Sequence, residues 1–146
     1  MATLPTIYVL NGPNLNLLGL REPEIYGSET LDDIAGMLED QARTLGLAVD
    51  MRQSNHEGHL IDWLHEANAN GAKAVILNAG GFTHTSVAIH DAIKAIVVPV
   101  IEVHLSNPAA REGFRRRNLV GSAAKGTIAG FGALGYQLAL DAAARL

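Results

Sequence analysis

The chain contains no cysteine, no long hydrophobic run and no excess of basic residues. Without cysteine it cannot form disulfides, thiolate nucleophiles, iron–sulfur clusters or cysteine zinc sites. No apolar stretch approaches the roughly 20 residues of a transmembrane helix, so no membrane association is expected. Hydrophobic residues nevertheless make up 48% and charged residues 18% of the 146 positions, which excludes a disordered chain and predicts a globular protein.

The charge balance argues against a nucleic-acid partner, because the formal net charge is −4. Arg111 and the run 115–117 form one local basic cluster, which is typical of a solvated helix face or, alternatively, of an anion site. The first residues, MATLP, show no basic segment followed by an apolar one. We therefore expect no targeting peptide and a cytoplasmic location.

Short apolar runs alternate with helical patterns along the chain. Four nearly continuous runs rich in valine, isoleucine and leucine are typical of strands buried on both faces, and a fifth, shorter run follows. They lie at residues 7–10, 47–51, 74–77, 97–103 and 127–129. Between them, apolar residues recur at three and four positions, which predicts helices over about 31–45, 60–70, 87–95 and 133–145.

This alternation predicts the fold class. Thr30 and Asp33 resemble a capping box that opens the first long helix, and Gly46 is suited to end it. Strands and helices that alternate in this way imply right-handed crossovers and a parallel sheet. We expect one α/β domain over residues 1–146, with a flavodoxin-like three-layer fold and a five-stranded parallel sheet.

Polar side chains collect where three of the predicted strands end. Asn11 follows the first strand, Asn78 the third, and the segment 102–107 (EVHLSN) the fourth. The C-terminal ends of parallel strands share one sheet edge, where α/β proteins bind ligands. Glu102 and His104 are two residues apart, so both side chains point to one side of a strand and the carboxylate can fix the ring's orientation. Such a pair is either a general acid–base device or a salt-linked histidine without chemistry.

Two other patterns, a glycine pair and a histidine pair, are weaker indications of a binding site. Gly80 and Gly81 allow close backbone approach before a helix start that can hold an anion. The glycine-containing turn after the first predicted strand fits neither GxGxxG nor GxxxxGK[ST], so dinucleotides and triphosphates are not expected. His56 and His59, with Glu57, can be metal ligands on a helix, but no third ligand follows at a recognised spacing, so no metal is expected.

The connection at residues 17–27, LLGLREPEIYG, is long for a strand-to-helix loop, and such loops are often lids. It carries Arg21 and Tyr26. A guanidinium near a phenol favours the phenolate, which can act as a base. Alternatively, Tyr26 is a packed aromatic residue without a chemical role.

Together, five segments resemble the type II 3-dehydroquinate dehydratases of the shikimate and quinate pathways. They are NGPNLNLLGLREPEIYG at 11–27, QSNHEGHLIDWLHEA at 53–67, THTSVAIHDAI at 83–93, PVIEVHLSNPAAREGFRR at 99–116 and KGTIAGFGALGYQLAL at 125–140. The segments run in order through nearly the whole chain. The resemblance implies dehydration of 3-dehydroquinate to 3-dehydroshikimate by anti elimination through an enolate, without cofactor, metal or imine.

The resemblance also implies roles for individual residues. Tyr26 matches the base that removes a proton beside the ketone, and His104 matches the acid that protonates the leaving hydroxyl. Arg21 would activate the tyrosine, and Asn11 would help to hold the water that stabilises the enolate. Glu102 would orient His104 and stabilise its charge.

Substrate contacts follow from the same resemblance. The substrate carboxylate would be bound by Asn78, Ser106 and the backbone of Leu105. The ring hydroxyls would be bound by His84 and Arg115.

Asp91 matches a residue that a neighbouring subunit contributes to the site, so a homo-oligomer is implied, and the family usually forms a dodecamer from trimers. The chain departs from the family pattern at Ala79, Gly81 and Phe82, where Pro, Ala and Tyr are common, and at Asn118, where serine is usual.

Two other classes stay open. One is a flavodoxin-like module that binds a small anion without turnover, in which Tyr26 and His104 would be replaceable. The other is a histidine-metal hydrolase, which a chelator would inactivate.

Overall fold

The computed structural model describes residues 3–146, and a five-stranded parallel sheet forms its centre. The strands are β1 (Thr6–Asn11), β2 (Ala48–Gln53), β3 (Ala74–Asn78), β4 (Val100–His104) and β5 (Gly126–Ala129). Their order across the sheet is β2-β1-β3-β4-β5, and all neighbouring pairs are parallel. This is the strand order of the flavodoxin-like fold, so the predicted fold class is confirmed.

Helices cover both faces of the sheet. They are α1 (Pro23–Tyr26), α2 (Leu31–Leu45), α3 (Glu57–Ala69), α4 (Val87–Ala95) and α5 (Leu134–Ala144). The apolar residues of α2 and α5 pack on one face of the sheet, and those of α3 and α4 pack on the other, which gives two hydrophobic cores. None of the helices within residues 3–146 is both long and apolar enough to cross a membrane.

The predicted start and end of α2 are confirmed. The Thr30 hydroxyl accepts a hydrogen bond from the Asp33 backbone N–H at 3.1 Å, and the Asp33 carboxylate accepts one from the Thr30 N–H at 3.0 Å. This reciprocal capping box satisfies N–H groups that the first helical turn cannot. Gly46 follows the helix with a φ of 70°, a conformation that glycine adopts without steric cost.

Three sequence predictions needed adjustment. The second strand, expected to be buried on both faces, is an edge strand that is only half-buried along its whole length. The fourth strand begins at Val100 rather than at position 97, because Pro99 has no N–H for the ladder and the Val97 side chain is 90% exposed. The long connection at residues 17–27 is not wholly irregular, since α1 lies within it. Glu22 precedes α1 in the left-handed region, with a φ of 40°.

Candidate active site

A cavity of about 260 Å³ opens at the C-terminal edge of the sheet. Its walls come from the loop after β1, the region of α1, the turn after β3 and the segment after β4. It is lined by eight of the eleven residues predicted for the site: Arg21, Tyr26, Asn78, His84, His104, Leu105, Ser106 and Arg115. The parallel topology thus brings together side chains that are far apart in the sequence.

Glu102 and His104, near the end of β4, form a buried pair. The Glu102 side chain is fully buried, and one carboxylate oxygen, Oε2, lies 2.7 Å from His104 Nε2. The other oxygen, Oε1, accepts hydrogen bonds from Thr127 Oγ1 at 2.7 Å and from Asn118 Nδ2 at 3.0 Å. Both carboxylate oxygens are therefore held by hydrogen-bond partners.

These partners determine the charge of the carboxyl group. Burial disfavours the charged form and acts to raise the pKa of Glu102, but the hydrogen bonds and the charge of His104, with Thr127 and Asn118, hold that pKa below its ordinary value. An ionised carboxylate only accepts hydrogen bonds, so His104 Nε2 is the donor of this pair. The other ring nitrogen, Nδ1, is then the one that can meet a bound molecule.

Tyr26, the last residue of α1, lies beside two guanidinium groups. The Arg21 Cζ atom is 4.6 Å from the centre of the Tyr26 ring, and the Arg111 Cζ atom is 5.1 Å from it. All three residues line the cavity. Both guanidinium groups are therefore placed for cation–π contact with the ring.

The basic cluster of the sequence divides in the structure. Arg111 and Arg115 line the cavity, whereas Arg116 and Arg117 are exposed outside it. Arg111 Nη1 donates to Ser106 Oγ at 3.1 Å, and Arg115 Nε donates to a Glu112 carboxylate oxygen at 3.1 Å. The cavity wall after β4 is therefore cationic. In the sequence Arg111 is only one of four clustered arginines, and no local pattern gives it an individual role.

Asn78 and Asn11 are joined through Tyr136 of α5. The Tyr136 hydroxyl donates to Asn11 Oδ1 at 2.7 Å and accepts from Asn78 Nδ2 at 2.9 Å. Asn78 Oδ1 accepts from the Gly80 N–H at 3.2 Å. Burial raises the pKa of Tyr136 well above its ordinary value, so the hydroxyl stays neutral. This network fixes the amide of Asn78 at the cavity wall.

Asn11 does not line the cavity, contrary to the role expected for it. Its side chain is fully buried, with Oδ1 on Tyr136 and Nδ2 donating to the Arg52 carbonyl at 3.0 Å. Asn14 lines the cavity instead, in a left-handed conformation with a φ of 68°. Asn14 follows proline in NGPN, and asparagine is one of the few residues that tolerate this conformation, so the turn sequence carried a usable signal.

His84 lines the cavity, and its Nδ1 lies 2.7 Å from the Arg117 carbonyl oxygen. Asp91, in contrast, is exposed on α4 and does not line the cavity of its own chain.

The histidine pair considered as metal ligands has other partners. The part of the chain that the structure describes contains no group of three or more His, Asp or Glu side chains placed to hold a metal ion. His59 Nδ1 lies 2.7 Å from Ser54 Oγ, and its ring stacks on Trp63 with centroids 5.9 Å apart. Glu57 accepts a hydrogen bond from Ser86.

The fold and the cavity define a class of protein: a flavodoxin-like α/β protein with a carboxylate–histidine pair and an arginine-flanked tyrosine at the C-terminal edge of its sheet. The family model described as dehydroquinase class II matches residues 5–144. The chain therefore belongs to the class II dehydroquinase family.

Relatives and solved structures agree with this assignment. A 3-dehydroquinate dehydratase of Phenylobacterium zucineum is 60% identical over 140 residues, which cover 96% of each chain. The enzyme of that name from Caulobacter vibrioides is 58% identical over 137 residues, covering 94% of this chain and 93% of the relative. The crystal structure of type II dehydroquinase from Propionibacterium acnes superposes with a TM-score of 0.94 at 45% identity over the full length of both chains.

Proposed function

We propose that this protein removes water from 3-dehydroquinate to give 3-dehydroshikimate; its relatives are named 3-dehydroquinate dehydratases. The observation that carries the proposal is the pairing of two devices in one cavity: a tyrosine beside two guanidinium groups and a histidine bound to a buried carboxylate. Elimination next to a ketone needs both a base and an acid.

Tyr26 is the proposed base. As phenolate it takes a proton from the carbon beside the ketone, and the electron pair moves into the carbonyl group to form an enolate. Arg21 and Arg111 stabilise the phenolate, because their guanidinium groups lie 4.6 Å and 5.1 Å from the ring centre. The sequence resemblance implies this role for Arg21. We propose it for Arg111 as well, because its guanidinium group also lies beside the Tyr26 ring.

His104 is the proposed acid. When the enolate collapses, the bond to the tertiary hydroxyl breaks, and the protonated ring gives its proton to the departing oxygen, which leaves as water. Glu102 holds Nε2 at 2.7 Å and offsets the positive charge of the protonated ring. This orientation presents Nδ1 to the substrate.

The remaining walls account for substrate binding. Ser106, the Leu105 backbone and Asn78 are proposed to bind the substrate carboxylate, and His84 and Arg115 the ring hydroxyls; all of them line the cavity.

Asn14 is at the wall where Asn11 was expected. Because of that position, we assign Asn14 rather than Asn11 to the water that stabilises the enolate.

The proposed chemistry needs no cofactor, since the protein's own side chains supply both proton transfers. No lysine is among the residues that line the cavity, which agrees with a reaction that forms no imine. We further propose a cytoplasmic homo-oligomer, a dodecamer built from trimers, in which Asp91 reaches a neighbouring subunit's site. The exposed position of Asp91 on α4 is compatible with such a contact.

The test is the absorbance of the enone product after 3-dehydroquinate is added to purified protein. One sample is treated beforehand with a chelator and another with borohydride. A rising enone signal that survives both treatments supports a dehydratase that uses neither metal nor imine. No signal from correctly folded oligomer would contradict the proposal and favour a binding module, and loss of the signal with chelator would favour a metal enzyme.

A further inference from the structure

We propose that Asn118 and Gly121 are positioning residues for the acid of this site: the Asn118 amide fixes the Glu102 carboxylate, and Gly121 leaves the space in which the two groups meet. Both residues lie in the connection between β4 and β5, outside the cavity lining. The inference rests on the proposed function of His104, to which Glu102 is bound.

The turn after Asn118 determines which end of its amide faces Glu102. Asn118 Oδ1 accepts the backbone N–H of Val120 at 3.0 Å and that of Gly121 at 2.7 Å. Because two N–H donors require an oxygen, the amide cannot be flipped. Nδ2 is therefore left to donate to Glu102 Oε1, 3.0 Å away.

Gly121 is required at its position by space, not by backbone conformation. A Cβ atom on this residue would lie 2.6 Å from Asn118 Nδ2 and 2.7 Å from Glu102 Oε1. Contacts below 3.0 Å are essentially never seen for real Cβ atoms, so a larger residue requires the amide and the carboxylate to shift from the positions that their hydrogen bonds give them. The φ of Gly121 is not positive, which leaves close approach as the reason for glycine.

The segment that carries Asn118 is tied to the opposite wall of the site. His84 Nδ1 lies 2.7 Å from the Arg117 carbonyl oxygen, and the Leu119 N–H donates to the Thr83 carbonyl at 2.8 Å. His90 Nδ1 lies 2.7 Å from the Leu119 carbonyl oxygen. Hydrogen bonds on both sides of position 118 hold the amide in place, so the position of the Glu102 carboxylate is coupled to the wall that contains His84.

Asn118 also affects the charge state of Glu102. The groups that contact the carboxylate are His104 from its own strand, Thr127 from β5 and Asn118, and of these only His104 is titratable. The donated amide hydrogen bond helps to keep the pKa of Glu102 low despite its burial. Loss of this donor should raise that pKa and weaken the hold on His104.

Asn118→Asp separates these effects from simple misfolding. The new side chain keeps an oxygen for the Val120 and Gly121 N–H groups, but it replaces the donor to Glu102 by a second carboxylate oxygen, whose negative charge also opposes ionisation of Glu102; Thr127→Val removes a donor without adding charge. We expect kcat to fall about tenfold or more with KM changed less than about twofold, and the acidic limb of the kcat profile to move up by about one pH unit. Thr127→Val should also lower kcat and move the acidic limb of the kcat profile to higher pH. Thr127→Ser, which keeps the hydroxyl, should retain most of the wild-type kcat.

Ser122→Ala is the matched control in the same turn, because the Ser122 hydroxyl faces His90 rather than Glu102. A readout that does not depend on turnover is the carbon NMR titration of the Glu102 side-chain carboxyl in folded Asn118→Asp and wild-type protein. An upward shift in the variant, absent in Ser122→Ala, supports the inference even if wild-type protein fails to turn over 3-dehydroquinate. Unchanged titration, or unchanged kcat in both Asn118→Asp and Thr127→Val, would overturn it.

Discussion

Replacing Tyr136 by phenylalanine is the sharpest test of how the site is supported. The substitution keeps the aromatic ring and removes one hydroxyl, which makes two buried hydrogen bonds, to Asn11 at 2.7 Å and to Asn78 at 2.9 Å. Tyr136 and Asn11 are both fully buried, so water cannot replace the lost partner of Asn11. Asn78 borders the cavity and can partly recover a partner there.

The expected loss of stability follows from these contacts. A buried polar group left without a partner costs about 1–3 kcal/mol. Two such groups, one of them partly rescued, give an expected decrease of about 2–4 kcal/mol in the free energy of unfolding. Because the Asn78 amide is then held only by the hydrogen bond from the Gly80 N–H to its Oδ1, KM for 3-dehydroquinate should rise more than kcat falls.

The assay is urea unfolding followed by circular dichroism at a fixed protein concentration, because the proposed assembly would contribute to apparent stability. Tyr8→Phe is the matched control. The Tyr8 hydroxyl also has two partners, Glu66 at 2.9 Å and Asn70 at 3.0 Å, but both can turn to solvent, so we expect a loss below about 1.5 kcal/mol. If Tyr136→Phe were no more destabilising than Tyr8→Phe, the supporting role of the Tyr136 hydroxyl would be refuted.

Three further predictions concern charge in the cavity. Tyr26→Phe should lower kcat by orders of magnitude while calorimetry still detects 3-dehydroquinate binding; near wild-type kcat would exclude Tyr26 as the base. Arg111→Ala should also slow turnover strongly, and a purely structural role would instead appear as unchanged kcat with a lower unfolding midpoint. Since the pKa of Glu102 in the folded chain lies below its ordinary 4.5, its contribution to stability is present above that pH and is lost as pH falls through the folded value. Acid unfolding of Glu102→Gln should lack this part of the pH dependence. An acid unfolding profile identical to that of the wild-type protein would contradict the lowered pKa of Glu102 in the folded chain.

The fold could be predicted because its signals are local. Continuous apolar runs marked the strands, three-and-four spacing marked the helices, and the capping box at Thr30 fixed the start of α2. The pairing of Glu102 with His104 was predictable for the same reason, since residues two apart on one strand share a face. The start of β4 was placed too early because Pro99 interrupts an otherwise continuous apolar run.

The candidate site was less predictable where it depends on packing between distant segments. Whether Asn11 or Asn14 faces the cavity is decided by the turn between them and by Tyr136, which is 125 positions from Asn11. Arg111 and Arg116 look alike in the sequence, and only the short 3-10 helical turns after β4, at Pro108–Ala110 and Gly113–Arg116, direct one of them to the Tyr26 ring. Such choices depend on long-range contacts that no local pattern encodes.

The absence of space at Gly121 has a consequence for how this protein can change over evolutionary time. A Cβ atom at position 121 would approach both the Asn118 amide nitrogen and the Glu102 carboxylate oxygen below 3.0 Å, so a side chain there requires both groups to move. The two positions therefore form an epistatic pair, in which the order of substitutions matters. A shorter residue at position 118 removes the first of these contacts and releases Glu102 Oε1 from the amide, so a side chain at position 121 disturbs the site less when Asn118 has been shortened first than in the reverse order.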